Sequence, residues 1–316
     1  LSLPQGVFSA GGSIARYQAV FQPFLLDGHT LIAFRTFERN GAAKILAIDP
    51  DTLETSEMAA GRIDFKAPVE ESSLSATPFH KALSRHTALP CPLQNDGLTE
   101  SDTSVCGSFL TVDLCPSVMP FEKRLFEGLI DLWRDRGEPA PVGLAVTGVW
   151  ADRHEEELQW LIGQVRERKL RITWINHSYN HPYDRDKALD ETFLLTPGTN
   201  FEEEILSTEI LLLEHDLVPS VFFRFPGLVS NCDLIRRLKA LSLIPVGSRA
   251  WLAKGETPVE GSIILVHGNG NEPAGIDMLL DLFHTQKDAF TRGGLTLLPL
   301  NAAVAVPLKT AASGSN

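Results

Sequence analysis

His177 and His181 stand four residues apart in "NHSYNHP", directly after the strand-like run "RITWI". Two imidazoles at that spacing can share one divalent metal ion, and a catalytic zinc commonly takes three protein ligands and keeps a fourth position open. Four other residues could join them: Asp113 in "TVDLCP", Arg224 in "FFRFPG", Trp251 in "GSRAW" and His267 in "ILVHGNG". An acid, a further histidine and an arginine beside such a pair make a more informative set than any one of them alone. Each residue also has a plainer reading. The histidines could cap a loop, Asp113 and Arg224 could form a structural ion pair, and His267 and Trp251 could be ordinary core.

The elements that must position these residues follow from residue texture. From 108 onward, apolar β-type runs alternate with amphipathic segments. "SFLTVDL", "PVGLAVTG", "LRITWIN", "SVFFRFP", "IPVGS", "GSIILVHG" and "LTLLPL" read as strands. "MPFEKRLFEGLIDLWRDRG", "DRHEEELQWLIGQVRERK" with Asp152 as N-cap, "TNFEEEILSTEILLLEHD" with Thr199 or Asn200 as cap, "CDLIRRLKALS" and "AGIDMLLDLFHTQKDAF" read as helices. Such alternation predicts an α/β fold with a parallel sheet covered by helices, open or closed into a barrel. In such sheets chemistry sits beyond the carboxyl ends of the strands. Asp113, Asn176, His177, His181, Arg224, Ser248, Arg249, Trp251 and His267 all fall at those ends, so one rim collects them. The acidic triplets at 155–157 and 202–204 read as first-turn residues that favour the helix dipole.

Ahead of this region, residues 1–60 read as a small antiparallel β unit. "AVFQPFL", "HTLIAFRTF" and "AKILAID" are separated by Asp27-Gly28 and Asn40-Gly41, which suit tight hairpin turns. Such a unit could position substrate or mediate homodimerisation. Residues 61–107 are polar and broken by Pro68, Pro78, Pro90 and Pro92, as in a linker or wrapping segment with one short helix at "PFHKALSRH". The third unit spans 108–310.

Bulk properties exclude several classes. The 316-residue chain carries a net charge of −12. With no Lys/Arg run, it is unsuited to nucleic acid and suited to a neutral or cationic substrate. No apolar stretch reaches the ~18 residues that a membrane-spanning helix needs. Serine-esterase, P-loop and dinucleotide motifs are absent. The four cysteines form no C-x-x-C pair, which disfavours a zinc knuckle. Cys91 and Cys106 flank a polar loop and are candidates for a disulfide. The first residues, "LSLPQG", do not begin with Met, and export to a periplasmic or extracellular space is expected.

Over residues 108–300, roughly two thirds of the chain, the order of these motifs resembles the polysaccharide deacetylase family, the NodB-type carbohydrate esterases. "TVDLCP" stands for that family's T-F-D-D-G-P, "HSYNH" for H-[ST]-x-x-H, "RFP" for R-x-P, Trp251 for the groove tryptophan, and "LVH" for L-x-H. The resemblance implies a distorted (β/α) barrel. It implies a divalent metal, usually zinc, and removal of acetyl groups from an N-acetylated polysaccharide or peptidoglycan-like glycan. By position, His177 and His181 would be metal ligands, Asp113 the base oriented by Arg224, His267 the acid and Trp251 a groove wall.

Two positions depart from the pattern. Leu114 stands where the family has its third metal ligand, and the acid that pairs with the histidine acid has no counterpart near Arg249 and Ala250. Another residue could complete the metal site: Asp113, Asn176, Asn180, Asp184 or Cys115. Alternatively the chain is a catalytically impaired homologue that binds glycan without cleaving it, or the site serves a different metal-assisted hydrolysis.

Overall fold

The structure, a computed structural model, describes residues 13–63, 70–285 and 296–305. Strands β1 (Ile14–Leu26), β2 (His29–Arg39), β3 (Ala42–Ile48) and β4 (Thr55–Ala59) form an antiparallel sheet in that order. Asp27-Gly28 and Asn40-Gly41 make its first two turns. All four residues have positive φ, between 51° and 83°. Two-residue turns of that hand match the right-handed twist of the flanking strands, and Gly takes such φ values at no steric cost.

After α1 (Glu71–Ser75) and α2 (Pro78–His86), strands and helices alternate: β5 (Phe109–Leu114), α3 (Lys123–Trp133), β6 (Ala140–Val146), α4 (Gly148–Arg153), α5 (Glu155–Arg166), β7 (Leu170–Asn176), α6 (Phe201–Glu214), β8 (Phe222–Phe223), α7 (Cys232–Ala240), β9 (Ile244–Pro245), β10 (Ala250–Trp251), β11 (Ile263–His267) and α8 (Pro273–Thr285). The second sheet has the order β10-β11-β5-β6-β7-β8-β9, and every pairing in it is parallel.

This sheet is strongly curled. In a flat sheet β5 and β8, three positions apart, would lie roughly 14 Å from each other. Yet Arg224, just after β8, reaches Asp113 on β5 at 2.7 Å. Between β9 and β11 the gap is bridged by the segment preceding β5. Leu98 N–H donates to the Pro245 carbonyl (2.9 Å), and Ile263 N–H donates to the Thr99 carbonyl (3.1 Å). The result is a distorted (β/α) barrel, as expected.

β5 is buried on both faces and its alternation decides the site. Leu110, Val112 and Leu114 point outward into the core shared with Phe126, Leu129 and Leu279 of α3 and α8. Thr111 and Asp113 point inward. The antiparallel sheet packs on α6 within one apolar core that includes Tyr17, Phe34, Ile205, Leu213 and Phe222. There the fully buried Arg35 meets Glu209 through two hydrogen bonds of 2.6 and 2.7 Å, and the Tyr17 hydroxyl donates to Glu209 at 2.8 Å. Pairing and full hydrogen bonding are what make a buried charge tolerable.

Three local expectations are corrected. Asp152 is not an N-cap: Thr147 caps the short helix α4, and Asp152 lies inside it. "LTLLPL" supplies no strand. Among its described residues there is one bridge, Ser108 to Leu297, followed by a 3-10 turn from Leu300. Cys91 bonds to Cys232 rather than Cys106, across 141 residues, with Cα atoms 5.2 Å apart. Cys106 is free and exposed. The fold carries the start of α7 to Cys91, which proximity along the chain could not indicate.

Candidate metal centre and active site

β7 ends at Asn176 and delivers His177 into the barrel mouth. The His177 Nδ1 lies 2.8 Å from the Arg224 carbonyl, which can only accept, so the proton sits on Nδ1. The lone pair on Nε2 is thereby aimed at the interior, 3.5 Å from the Cys115 Sγ. A short loop then brings His181 round, with its ring centroid 5.0 Å from that of His177. The ligand atoms of Cys115, His177 and His181 all lie within 4.8 Å of one another.

Cys115 is therefore the residue placed to act as a third donor, and the other candidates make other contacts or lie elsewhere. Asn176 donates to the Ile205 carbonyl and accepts from Ser178 N–H. The Asn180 amide donates to Glu204 at 2.7 Å. Asp184 accepts from Asp186 N–H and is exposed. Asp113 is held by Arg224. Strand alternation was the available signal: two residues beyond Asp113, Cys115 shares its inward face, whereas Leu114 cannot.

The loop between the histidines is fastened by Glu204, in the first turn of α6. Its carboxylate accepts from Tyr179 N–H (3.0 Å), Asn180 N–H (2.8 Å) and the Asn180 side chain. Helix-dipole reasoning missed this role. The loop also lies over Gly148, where a Cβ would come within 2.2 Å of the Tyr179 ring. Glu204→Gln turns an all-acceptor carboxylate into an amide whose NH2 faces N–H donors. We expect a loss of roughly 10-fold or more in metal affinity, as for other groups that orient ligands. Competition with a chelator would measure it, and unchanged affinity would remove Glu204 from this role.

Asp113 is 3 % exposed. Its Oδ1 accepts from Arg224 at 2.7 Å, and its Oδ2 lies 3.7 Å from the His177 Nε2. Arg224 is itself locked by Thr111 Oγ1 and by the Val246 and Gly247 carbonyls. Burial opposes ionisation of Asp113, but Arg224, then His177 and His267, outweigh it and hold the carboxyl below its usual range. Burial likewise opposes the thiolate of Cys115, and the charges of His181, His267 and His177 overcome it, leaving the thiol well below its ordinary value.

His267, at the end of β11, faces Cys115 on one side and Glu272 on the other. Its Nδ1 is 2.8 Å from the Glu272 Oε2, which also accepts from the Trp251 indole at 2.7 Å. Burial disfavours the imidazolium, but Cys115, Glu272 and Asp113 together raise the pKa of His267 well above its ordinary value. The carboxylate that meets His267 is thus Glu272, five residues after it, whereas Arg249 points to Glu100 at 3.7 Å. Ser248 is likewise outside the centre, bonded to Asn95. All six residues singled out by sequence (Asp113, His177, His181, Arg224, Trp251 and His267) meet in one connected network, with Cys115 and Glu272 added.

Fold and site together define an α/β barrel with a Cys/His/His donor set flanked by an Asp–Arg pair and a His–Glu pair. No protein-family model matches the chain. Among solved structures it is similar to a family 4 carbohydrate esterase from Bacillus anthracis, with 19 % identity and a TM-score of 0.46 over 66 % of this chain and 87 % of that one. It is similar to the chitin deacetylase of the fungal pathogen Colletotrichum lindemuthianum, with 14 % identity and a TM-score of 0.45 over 69 % and 95 % of the two chains. It is also similar to a family 4 pseudoenzyme from Bacillus anthracis, with 13 % identity and a TM-score of 0.39 over 58 % and 62 %.

Proposed function

We propose that the protein is a metal-dependent hydrolase that removes acetyl groups from an N-acetylated polysaccharide or peptidoglycan-like glycan. The observation that carries this reading is the convergence of Cys115, His177 and His181 on one point, between a paired base and a paired acid. One thiolate and two imidazoles fit zinc, or cobalt in its place, better than magnesium or calcium, which prefer oxygen ligands. The thiolate also keeps the single negative charge that a carboxylate would bring. When bound, the metal would polarise the acyl carbonyl and lower the pKa of water.

The chain's own groups do the rest. Asp113, kept ionised and oriented by Arg224, takes the proton of the attacking water. His267 gives its proton to the nitrogen of the leaving amine, which a neutral amide needs in order to break. Trp251 offers a flat apolar wall to a sugar ring. The net charge of −12 tolerates the cationic amine product. The Cys91–Cys232 bridge supports an oxidising, exported setting. Among the described residues no helix is long and apolar enough to cross a membrane. The alternative of a glycan-binding homologue without catalysis rested on Leu114 and the absent acid. Cys115 and Glu272 lie where they could fill both roles, which supports the catalytic reading.

Elemental analysis of the wild type and His177→Ala, followed by acetate release from an N-acetylated oligosaccharide, tests it. We expect about one equivalent of zinc or a similar ion, lost in the variant together with acetate release. No metal uptake from excess zinc would overturn the mechanism, and metal without acetate release would leave a binding protein.

A further inference from the structure

We infer that Glu272 is a positioning residue through which a single carboxylate oxygen sets both the proton donor His267 and the groove wall Trp251. This rests on the deacetylase reading above.

The chain leaves β11 at His267, turns through "GNGN", and returns with Glu272 immediately before Pro273 of α8. The turn is pinned to its surroundings. Gly268 N–H donates to the Asp113 carbonyl (3.0 Å), Glu122 N–H donates to the Gly268 carbonyl (2.8 Å), and the buried Asn269 amide donates to the Cys115 carbonyl (2.6 Å). Glu272 Oε2 is thereby held 2.8 Å from the His267 Nδ1 and 2.7 Å from the Trp251 Nε1. An indole N–H can only donate, so this oxygen accepts. The same oxygen accepts the hydrogen bond of the His267 Nδ1–H, which leaves Nε2 as the atom facing Cys115 and the groove. Trp251 is held from two further directions: its backbone N–H donates to Glu256 (2.7 Å), and Lys254 Nζ sits 3.7 Å from its ring centroid. The Trp251 and His267 ring centroids are 6.1 Å apart. A sugar pressed against Trp251 therefore meets a wall tied to the acid through one atom, so binding and proton delivery share one support.

Two substitutions separate the functions of that oxygen. Glu272→Gln keeps an oxygen that can accept both N–H groups but loses the negative charge that faces the His267 Nδ1–H and the Trp251 indole N–H. We expect kcat to fall about 10-fold or more, with KM within about twofold. Glu272→Ala removes the acceptor, so kcat should fall at least as far and KM should rise several-fold as Trp251 loosens. Metal content should be unchanged in both, because Glu272 touches none of the three donors. An activity-independent readout is 15N NMR of the side chains. In the wild type, the His267 Nδ1–H should show the signature of a hydrogen bond to Glu272. In Glu272→Ala, that signature should disappear and the Trp251 indole signal, identified with Trp251→Phe, should shift. An unchanged His267 Nδ1–H signal and indole signal in Glu272→Ala, or unchanged kcat and KM in Glu272→Gln, would overturn the inference. A wild-type protein that binds metal but releases no acetate would instead overturn the deacetylase reading, while the NMR comparison still tests the pairing.

Discussion

Cys115→Ser is expected to lose most of the bound metal and more than the roughly 10–100-fold in activity that removing a group behind a ligand costs. Serine is close to cysteine in size, so the barrel interior is little disturbed. What changes is the donor. A hydroxyl does not ionise near neutral pH, whereas the Cys115 thiol, despite its burial, is held well below its ordinary value by His181, His267 and His177. Two imidazoles alone are a weak site for a catalytic zinc. Cobalt substitution gives a direct view: the wild type should show a thiolate-to-cobalt charge-transfer band in the near ultraviolet, absent in Cys115→Ser. Cys115→Asp, which returns a carboxylate to the same inward position, should recover metal binding in part. Full metal content and full acetate release in Cys115→Ser would exclude Cys115 as a ligand.

Leu114→Asp is expected to cost at least ~4 kcal/mol of stability and to restore nothing, although Leu114 aligns with an aspartate in the family that the chain resembles. Leu114 is fully buried on the outer face of β5, among Val112, Phe126 and Val266. It also packs over the turn after β11, where its Cδ2 is 3.0 Å from where a Cβ on Gly268 would stand. Losing a buried leucine costs roughly 2–5 kcal/mol, and an unpaired carboxylate in the same place adds a desolvation penalty. Urea unfolding monitored by tryptophan emission would measure the loss. A folded Leu114→Asp protein with raised acetate release would mean that position 114 can turn toward the metal donors, contrary to the alternation of β5.

Much of the arrangement was legible because it is written in short-range pattern. Period-two and helical apolar spacing announced most of the sheet and the helices around it. The Asp-Gly and Asn-Gly pairs announced the hairpins. Residues at the ends of those strands could be collected on one rim without knowing any distance, since parallel strands present their carboxyl ends together. Cys115 was legible too: its place two residues after Asp113 puts it on the same face, a fact that matching Leu114 to an aspartate obscured.

Sequence by itself therefore determined the α/β architecture, the hairpin meander and the meeting of Asp113, His177, His181, Arg224, Trp251 and His267. Only the tertiary structure decided the partners. Cys91 joins Cys232, Arg35 joins Glu209, Glu204 holds the histidine loop, and Glu272 receives both His267 and Trp251. The physical reason is that these side chains meet through loops and helix starts. There, neither the period of a strand nor that of a helix relates sequence distance to direction, and the curl of the sheet selects which groups come within hydrogen-bond reach.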